Sequence, residues 1–235
     1  MPEKKPVRIR GGRANIPAHA YPPIDQPEYF VHAPKVAGMA ICTTLGIRRT
    51  HDPASYIKEA IGQRWGCGKI FGSIRNPWDR ALSWFMYNSA FRKNYAQTKT
   101  DFNRWIAEGM DQDWTGGRGA RLLHQEDFIE IDGESVLGFT IHFEDLYDDW
   151  LHLMGWLNRP YVALKTNDRI PPEGKPDYRE WYTNDSRKFA EDKFAYFAEK
   201  YGYTFGDESF HVKMARLIKL PKEGVTDNEV QREGL

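Results

Sequence analysis

The stretch YFVHAPKVAGMAICTTL, residues 29–45, decides how the rest of the chain is read. Tyr29-Phe30-Val31 is a short aromatic and β-branched run bounded by Pro27 and Pro34, the pattern of a buried strand. After His32-Ala33-Pro34-Lys35 the chain reaches Gly38 and a small-residue segment closing near Gly46, the pattern of a helix. Strand, tight turn and helix together form the layout of a phosphate-binding turn. The first N–H groups of the helix lack intrahelical partners and favour an anion, and a glycine lets backbone approach it closely. The side-chain hydroxyls expected in such a turn are missing, because Val36, Met39 and Ala40 occupy it. Taken alone, the stretch reads equally well as a tight connection with a solvated lysine.

A second turn strengthens the anion reading. In IRNPWDRALSWFMY, residues 74–87, Arg75 follows a strand-like run, Asn76 is placed to cap a helix, Pro77 suits its first position and Asp79 its first turn. At helical spacing Asn76, Arg80, Ser83 and Tyr87 share one stripe, and Trp78, Ala81, Leu82 and Phe85 share another. A guanidinium fork at the strand end and a hydroxyl two turns down can hold one phosphate from two sides. The plainer alternative is that Arg75 makes a structural ion pair.

Strands continue to alternate with helices beyond these two units. DPASYIKEAIG (52–62) reads as a helix with Asp52 as N-cap, GKIFGSIR (68–75) as a strand and TDFNRWIAEGM (100–110) as a helix. DFIEI (127–131) and LGFTIHFEDL (137–146) read as strands around an IDGE turn, EDLYDDWLHLMGWLN (144–158) as a helix and DSRKFAEDKFAYFAEKYGY (185–203) as another. The expectation is a single α/β domain with a mainly parallel sheet flanked by helices and ligands beyond the strand C-terminal ends. It spans residues 28–206, between a Pro- and Gly-rich arm (1–27) and a C-terminal extension (207–235) ending in a loosely held tail. Lys plus Arg and Asp plus Glu are balanced at 33 each, so nothing in the overall charge favours nucleic acid or an anionic membrane. No segment has the roughly 18 apolar residues that a spanning helix requires. Cys42 and Cys67 are expected to be free and buried, and no Cys/His spacing suggests zinc.

Neither turn is a Walker A motif, since no GK[ST] occurs in the chain. HAPKVAGMA and RNPWDRALSWF, with their separation, resemble the two loops of the sulfotransferases that use 3'-phosphoadenosine-5'-phosphosulfate (PAPS), especially the carbohydrate sulfotransferase branch. IHFEDL is similar to that family's F-E-x-L segment, and KPDYREWYTNDSRKFAEDKFAYFAEKYGYTF to its C-terminal tyrosine-rich ending. The resemblance covers roughly residues 29–205 and implies a P-loop-like sulfotransferase fold. It also implies PAPS as co-substrate, no metal, and a carbohydrate or other hydroxyl-bearing acceptor. Carried over, Lys35 contacts the 5'-phosphate and the bridging oxygen, the backbone around Val36, Ala37, Gly38, Met39 and Ala40 forms the cradle, and Arg75 with Ser83 holds the 3'-phosphate.

The departures at Val36, Met39 and Ala40 remove side-chain donors that contribute about 1.5–3 kcal/mol each to a charged partner. Thr43 and Thr44, one turn on, are candidates to compensate. For the general base the resemblance points to His51 and His124, ahead of His32, with Glu144 a further carboxylate to weigh. Gln125 matches a glutamine of the family pattern. Two other readings stay open: a catalytically silent protein that binds PAPS or adenosine 3',5'-bisphosphate, and a nucleotide phosphotransferase. Acceptor choice is assigned to residues 92–125 and 160–178, oligomeric state is left open, and a cytoplasmic, bacterial or viral setting is the corresponding expectation.

Overall fold

In the computed structural model, which describes residues 28–47, 51–89, 96–110, 124–165 and 176–219, the expected first strand is β1, Glu28–His32. The N-terminal arm, parts of both acceptor segments and residues 220–235 lie outside the described residues. Tyr29, Phe30 and Val31 are all buried, as in a parallel strand covered on both faces. Strand β2 (Lys69–Ile74) is followed by the two-residue strands β3 (Glu130–Ile131) and β4 (Glu134–Ser135), and then by β5 (Phe139–His142). The main sheet has the order β1-β2-β5 and is parallel throughout, with Phe30 opposite Phe71 and Ser73 opposite Ile141.

Helices cover both faces. Helices α1 (Gly38–Leu45) and α6 (Leu146–Leu157) bury Ile41, Trp150 and Leu153 against Phe30, Phe71 and Ile141. On the opposite face α2 (Ala54–Ile61) and the single-turn α5 (Glu126–Ile129) place Ile57 and Ile129 with Tyr29, Val31 and Ile74. A third, aromatic cluster joins α3 (Pro77–Ser89), α4 (Lys99–Ala107) and α7 (Asn184–Tyr201) through Trp78, Phe85, Phe102, Trp105 and Phe194. Burying such a side chain is worth about 1.5–3 kcal/mol. The edge-on Phe85–Phe102 pair, with centroids 5.3 Å apart, adds about 0.5–1.5 kcal/mol. Thr183 and Ser186 close a reciprocal capping box at the start of α7. The result is a mixed α/β architecture with a small three-stranded parallel sheet packed against helices.

Several sequence expectations need correction. DFIEI is not a strand: its first residues lie in α5, and Glu130–Ile131 pairs with Glu134–Ser135 in a hairpin whose turn residues, Asp132 and Gly133, have φ of 54° and 82°. A short apolar run does not by itself separate strand from helix. Pro53, not Asp52, caps α2, and Thr98 caps α4 by accepting from Asp101 N. Cys42 is buried but Cys67, in the 3-10 turn Gly62–Cys67, is exposed; neither is in a disulfide. The C-terminal extension begins with α8 (Phe210–Lys219), where Phe210 meets Phe143 at 5.3 Å and Lys213 pairs with Asp145 at 2.8 Å; α8 takes in the first residues of the expected tail, 217–219, and the rest of that tail lies outside the described residues.

Candidate functional site

The turn after β1 adopts a backbone that its residues do not favour. Lys35 (φ 73°) and Ala37 (φ 65°, ψ 11°) are both left-handed without being glycine, at about 1–2 kcal/mol each. Three buried donors hold it there. Arg80 Nη1 donates to Pro34 O (3.4 Å), Arg75 Nη1 to Lys35 O (3.1 Å) and Ser73 Oγ to Val36 O (2.7 Å). No peptide bond among the described residues is cis. In a trans peptide the N–H lies opposite the carbonyl, so the N–H groups of Lys35, Val36 and Ala37 point away from β2 and α3. Among the described residues, those of Ala37 and Gly38 have no backbone acceptor. Together with the start of α1 they form an outward-facing set of donors suited to an anion.

The side chains of this turn divide by direction. Val36 is fully buried and Ala40 nearly so, whereas Met39 is 47% exposed. Thr44 does not compensate for missing hydroxyls, because its Oγ1 donates to Ala40 O (2.8 Å) and accepts from Lys165 N (2.8 Å); Thr43 is exposed. Gly38 lies directly against the His32 imidazole, leaving no room for a side chain. His32 is buried, stacks on Phe30 (centroids 4.2 Å) and meets His51 edge-on (4.8 Å). Lys35 Nζ lies 4.4 Å from the centre of the Tyr87 ring.

The second turn is held just as firmly. Asn76 caps α3 as expected, its Oδ1 accepting from Trp78 N (3.1 Å) and Asp79 N (3.2 Å). Its backbone N–H donates to Glu144 Oε1 (2.7 Å) and its Nδ2 to Thr204 O (2.9 Å). Tyr203 OH donates to the other oxygen of Glu144 (3.1 Å), while Tyr182 OH donates to Trp78 O (3.0 Å). The tyrosine-rich C-terminal segment therefore braces the start of α3. Gln125 pairs with Arg75 as a peptide would, its Oε1 accepting from Arg75 N (3.0 Å) and its Nε2 donating to Arg75 O (2.7 Å).

Arg75 itself is 4% exposed. Its Nε and Nη2 both lie 2.8 Å from Asp79 Oδ2, and the guanidinium rests 4.1 Å over Phe143. The structural ion pair is thus formed, and Arg75 joins the two turns instead of presenting an open fork. The polar stripe of α3 also departs from expectation. Arg80 is 2% exposed, because the helix is enclosed on nearly every side through Phe85, whereas Ser83 is half-buried and Tyr87 exposed. Burial brings Arg80 down to about 9, opposed by nearby Glu126, so it stays charged at neutral pH. Burial likewise pushes the Glu144 carboxyl above its ordinary value, against the Asn76 N–H and the Arg75 charge.

The histidines proposed as bases lie beside the two turns. His51 touches His32, which abuts Gly38. His124 precedes Gln125 and hydrogen-bonds Glu126 Oε1 through Nδ1 (3.1 Å). Glu144 is committed to Asn76 and Tyr203, a bracing role. Sequence reasoning passed over Asp79 as the partner of Arg75, although their i, i+4 spacing was available. It also missed the His142–Asp149 pair (3.1 Å) at the end of β5, which no local pattern announces.

Among the described residues no helix is long and apolar enough to cross a membrane, and no group of three or more His, Cys, Asp or Glu side chains is placed to hold a metal. Comparison of the chain with protein-family models, curated proteins and solved structures finds no match.

Proposed function

We propose that this chain is a PAPS-dependent sulfotransferase, built as a single α/β domain (28–206) of the P-loop-like sulfotransferase kind, with a carbohydrate hydroxyl as acceptor. One observation carries the reading. Two turns about forty residues apart in sequence meet at the C-terminal ends of adjacent parallel strands, the carbonyls of the first gripped by Ser73, Arg75 and Arg80 of the second. Inward carbonyls leave outward N–H groups, and the ends of parallel strands are where α/β sheets take ligands.

In this reading the N–H groups of residues 37–40 and Lys35 hold the 5'-phosphosulfate. Ser83 and the guanidinium hydrogens of Arg75 not spent on Asp79 or Lys35 O serve the 3'-phosphate. The acceptor oxygen attacks sulfur in line, forming a new S–O bond as the bond to the bridging phosphate oxygen breaks. Adenosine 3',5'-bisphosphate leaves with that electron pair. Lys35 offsets the charge developing on the leaving oxygen, and His51 or His124 takes the acceptor proton.

A silent binder of the same nucleotide is the second reading, favoured by Met39, the outward position of the turn that lacks a hydroxyl. Thermal shift with adenosine 3',5'-bisphosphate against ATP tests the site. At a hundredfold excess over Kd the bisphosphate stabilises by about 2.7 kcal/mol, a rise of about 5–10 °C for a chain of this size. Lys35→Met and Ser83→Ala should reduce that rise. Stabilisation by ATP alone would refute the proposal. Bisphosphate binding without transfer of labelled sulfate to any of a broad glycan panel would favour the silent binder.

A further inference from the structure

We infer that Lys35 has two positions and that Tyr87 holds it in the resting one: the ammonium is parked on the Tyr87 ring in the free protein and swings to the N–H cradle when an anionic nucleotide binds. This rests on the functional reading above and adds a positioning residue to it.

The direction of the turn's peptides carries the inference. The carbonyls of Pro34, Lys35 and Val36 face donors on β2, α3 and the turn between them, so the opposed N–H groups face away from α3. Tyr87 lies on α3 itself, three turns from its start, and Lys35 Nζ sits 4.4 Å from its ring centre. The ammonium is therefore drawn toward the side of the turn that the carbonyls face, and an anion bound by the N–H groups lies on the other. Arg75, Arg80 and Ser73 pin the Lys35 backbone through these carbonyls, so the exchange is confined to the four-carbon side chain. Tyr87 can serve as a resting place because it is 53% exposed yet backed by Trp84, with ring centroids 6.4 Å apart. A cation on an aromatic face is held strongly enough to bias the resting state and weakly enough to be displaced by a phosphate.

Proton NMR of the full chain tests this, with the Lys35 ε-methylene signals assigned by their loss in Lys35→Arg. Shielding by the ring should place them upfield in the free protein and in Tyr87→Phe, and at ordinary positions in Tyr87→Leu. Saturation with adenosine 3',5'-bisphosphate should return the parent signals to ordinary positions. Because the parked state competes with binding, Tyr87→Leu should bind the bisphosphate about two- to five-fold more tightly than the parent, and Tyr87→Phe like the parent. Signals that stay upfield in the saturated protein, or weaker binding by Tyr87→Leu, would overturn the inference and leave the sulfotransferase reading standing. No thermal shift with the bisphosphate would sink that reading, and the release step with it. Upfield signals indifferent to Tyr87→Leu would show that the ring never held the lysine.

Discussion

Replacing Gly38 with alanine perturbs the point where the phosphate-type turn comes closest to the sheet. The added methyl would overlap His32 Nε2 and Cδ2 and lie 3.1 Å from Cε1. The imidazole has little freedom to yield: it is 1% exposed, stacked on Phe30 at 4.2 Å and met edge-on by His51 at 4.8 Å. Overpacking of this kind costs about 1–3 kcal/mol. At about 2–4 °C per kcal/mol, Gly38→Ala should melt about 2–12 °C below the parent. His32→Ala should also destabilise, by leaving a hole. In the double variant the methyl enters that hole, so the two losses should fall short of their sum by about 0.5–3 kcal/mol. Urea denaturation of all four proteins reads this directly. Unchanged stability of Gly38→Ala, or strict additivity in the double variant, would refute the claim that glycine is required by the histidine beneath it.

Four further outcomes follow from the same geometry. Arg75→Ala leaves Asp79 charged and buried without its partner, so it should lose about 3–5 kcal/mol in urea unfolding, part of which Arg75→Ala/Asp79→Ala recovers; parent-like stability of the single variant would contradict this. Burial raises the Glu144 carboxyl above its unfolded value, so the stability this group contributes is present below the ordinary carboxylate pKa and lost as pH rises through the folded one. The stability of the parent relative to Glu144→Gln should therefore decline as pH rises above the ordinary carboxylate range, and a difference that does not change with pH would count against it. Val36→Thr buries a hydroxyl at a fully enclosed position and should cost about 1–3 kcal/mol without improving nucleotide binding. Met39→Thr faces outward and should tighten bisphosphate binding by up to about 1.5–3 kcal/mol, which calorimetry would detect.

The strand–turn–helix units were legible because each is local. Tyr29-Phe30-Val31 alternates across a covered sheet, and Asn76-Pro77 fixes the first turn of α3 within two residues. The missing hydroxyls were legible too, but not their consequence, since the inward direction of Val36 and Ala40 depends on how the turn is gripped from β2 and α3. Long-range partners escaped for the same reason. Arg80 falls on a polar stripe by spacing, yet sits in a helix enclosed on nearly all sides, a property of its neighbours and not of its own pattern. Glu144 and Tyr178 reach Asn76 from 68 and 102 residues away, and Tyr203 reaches Glu144 across 59, beyond any periodicity argument.

The side-chain amide of Gln125 makes with Arg75 the two hydrogen bonds that a neighbouring main chain would make. It stands in for a strand at the place where β2 ends and the chain turns toward α3. A true strand there would carry the pairing of the central strand one residue further. A single side chain satisfies the same donor and acceptor while occupying one residue's width, so the sheet can stop there without leaving the Arg75 backbone unpaired. Gln125 and Arg75 are both buried, so a residue without an amide at position 125 would leave a main-chain donor and acceptor unpaired away from water.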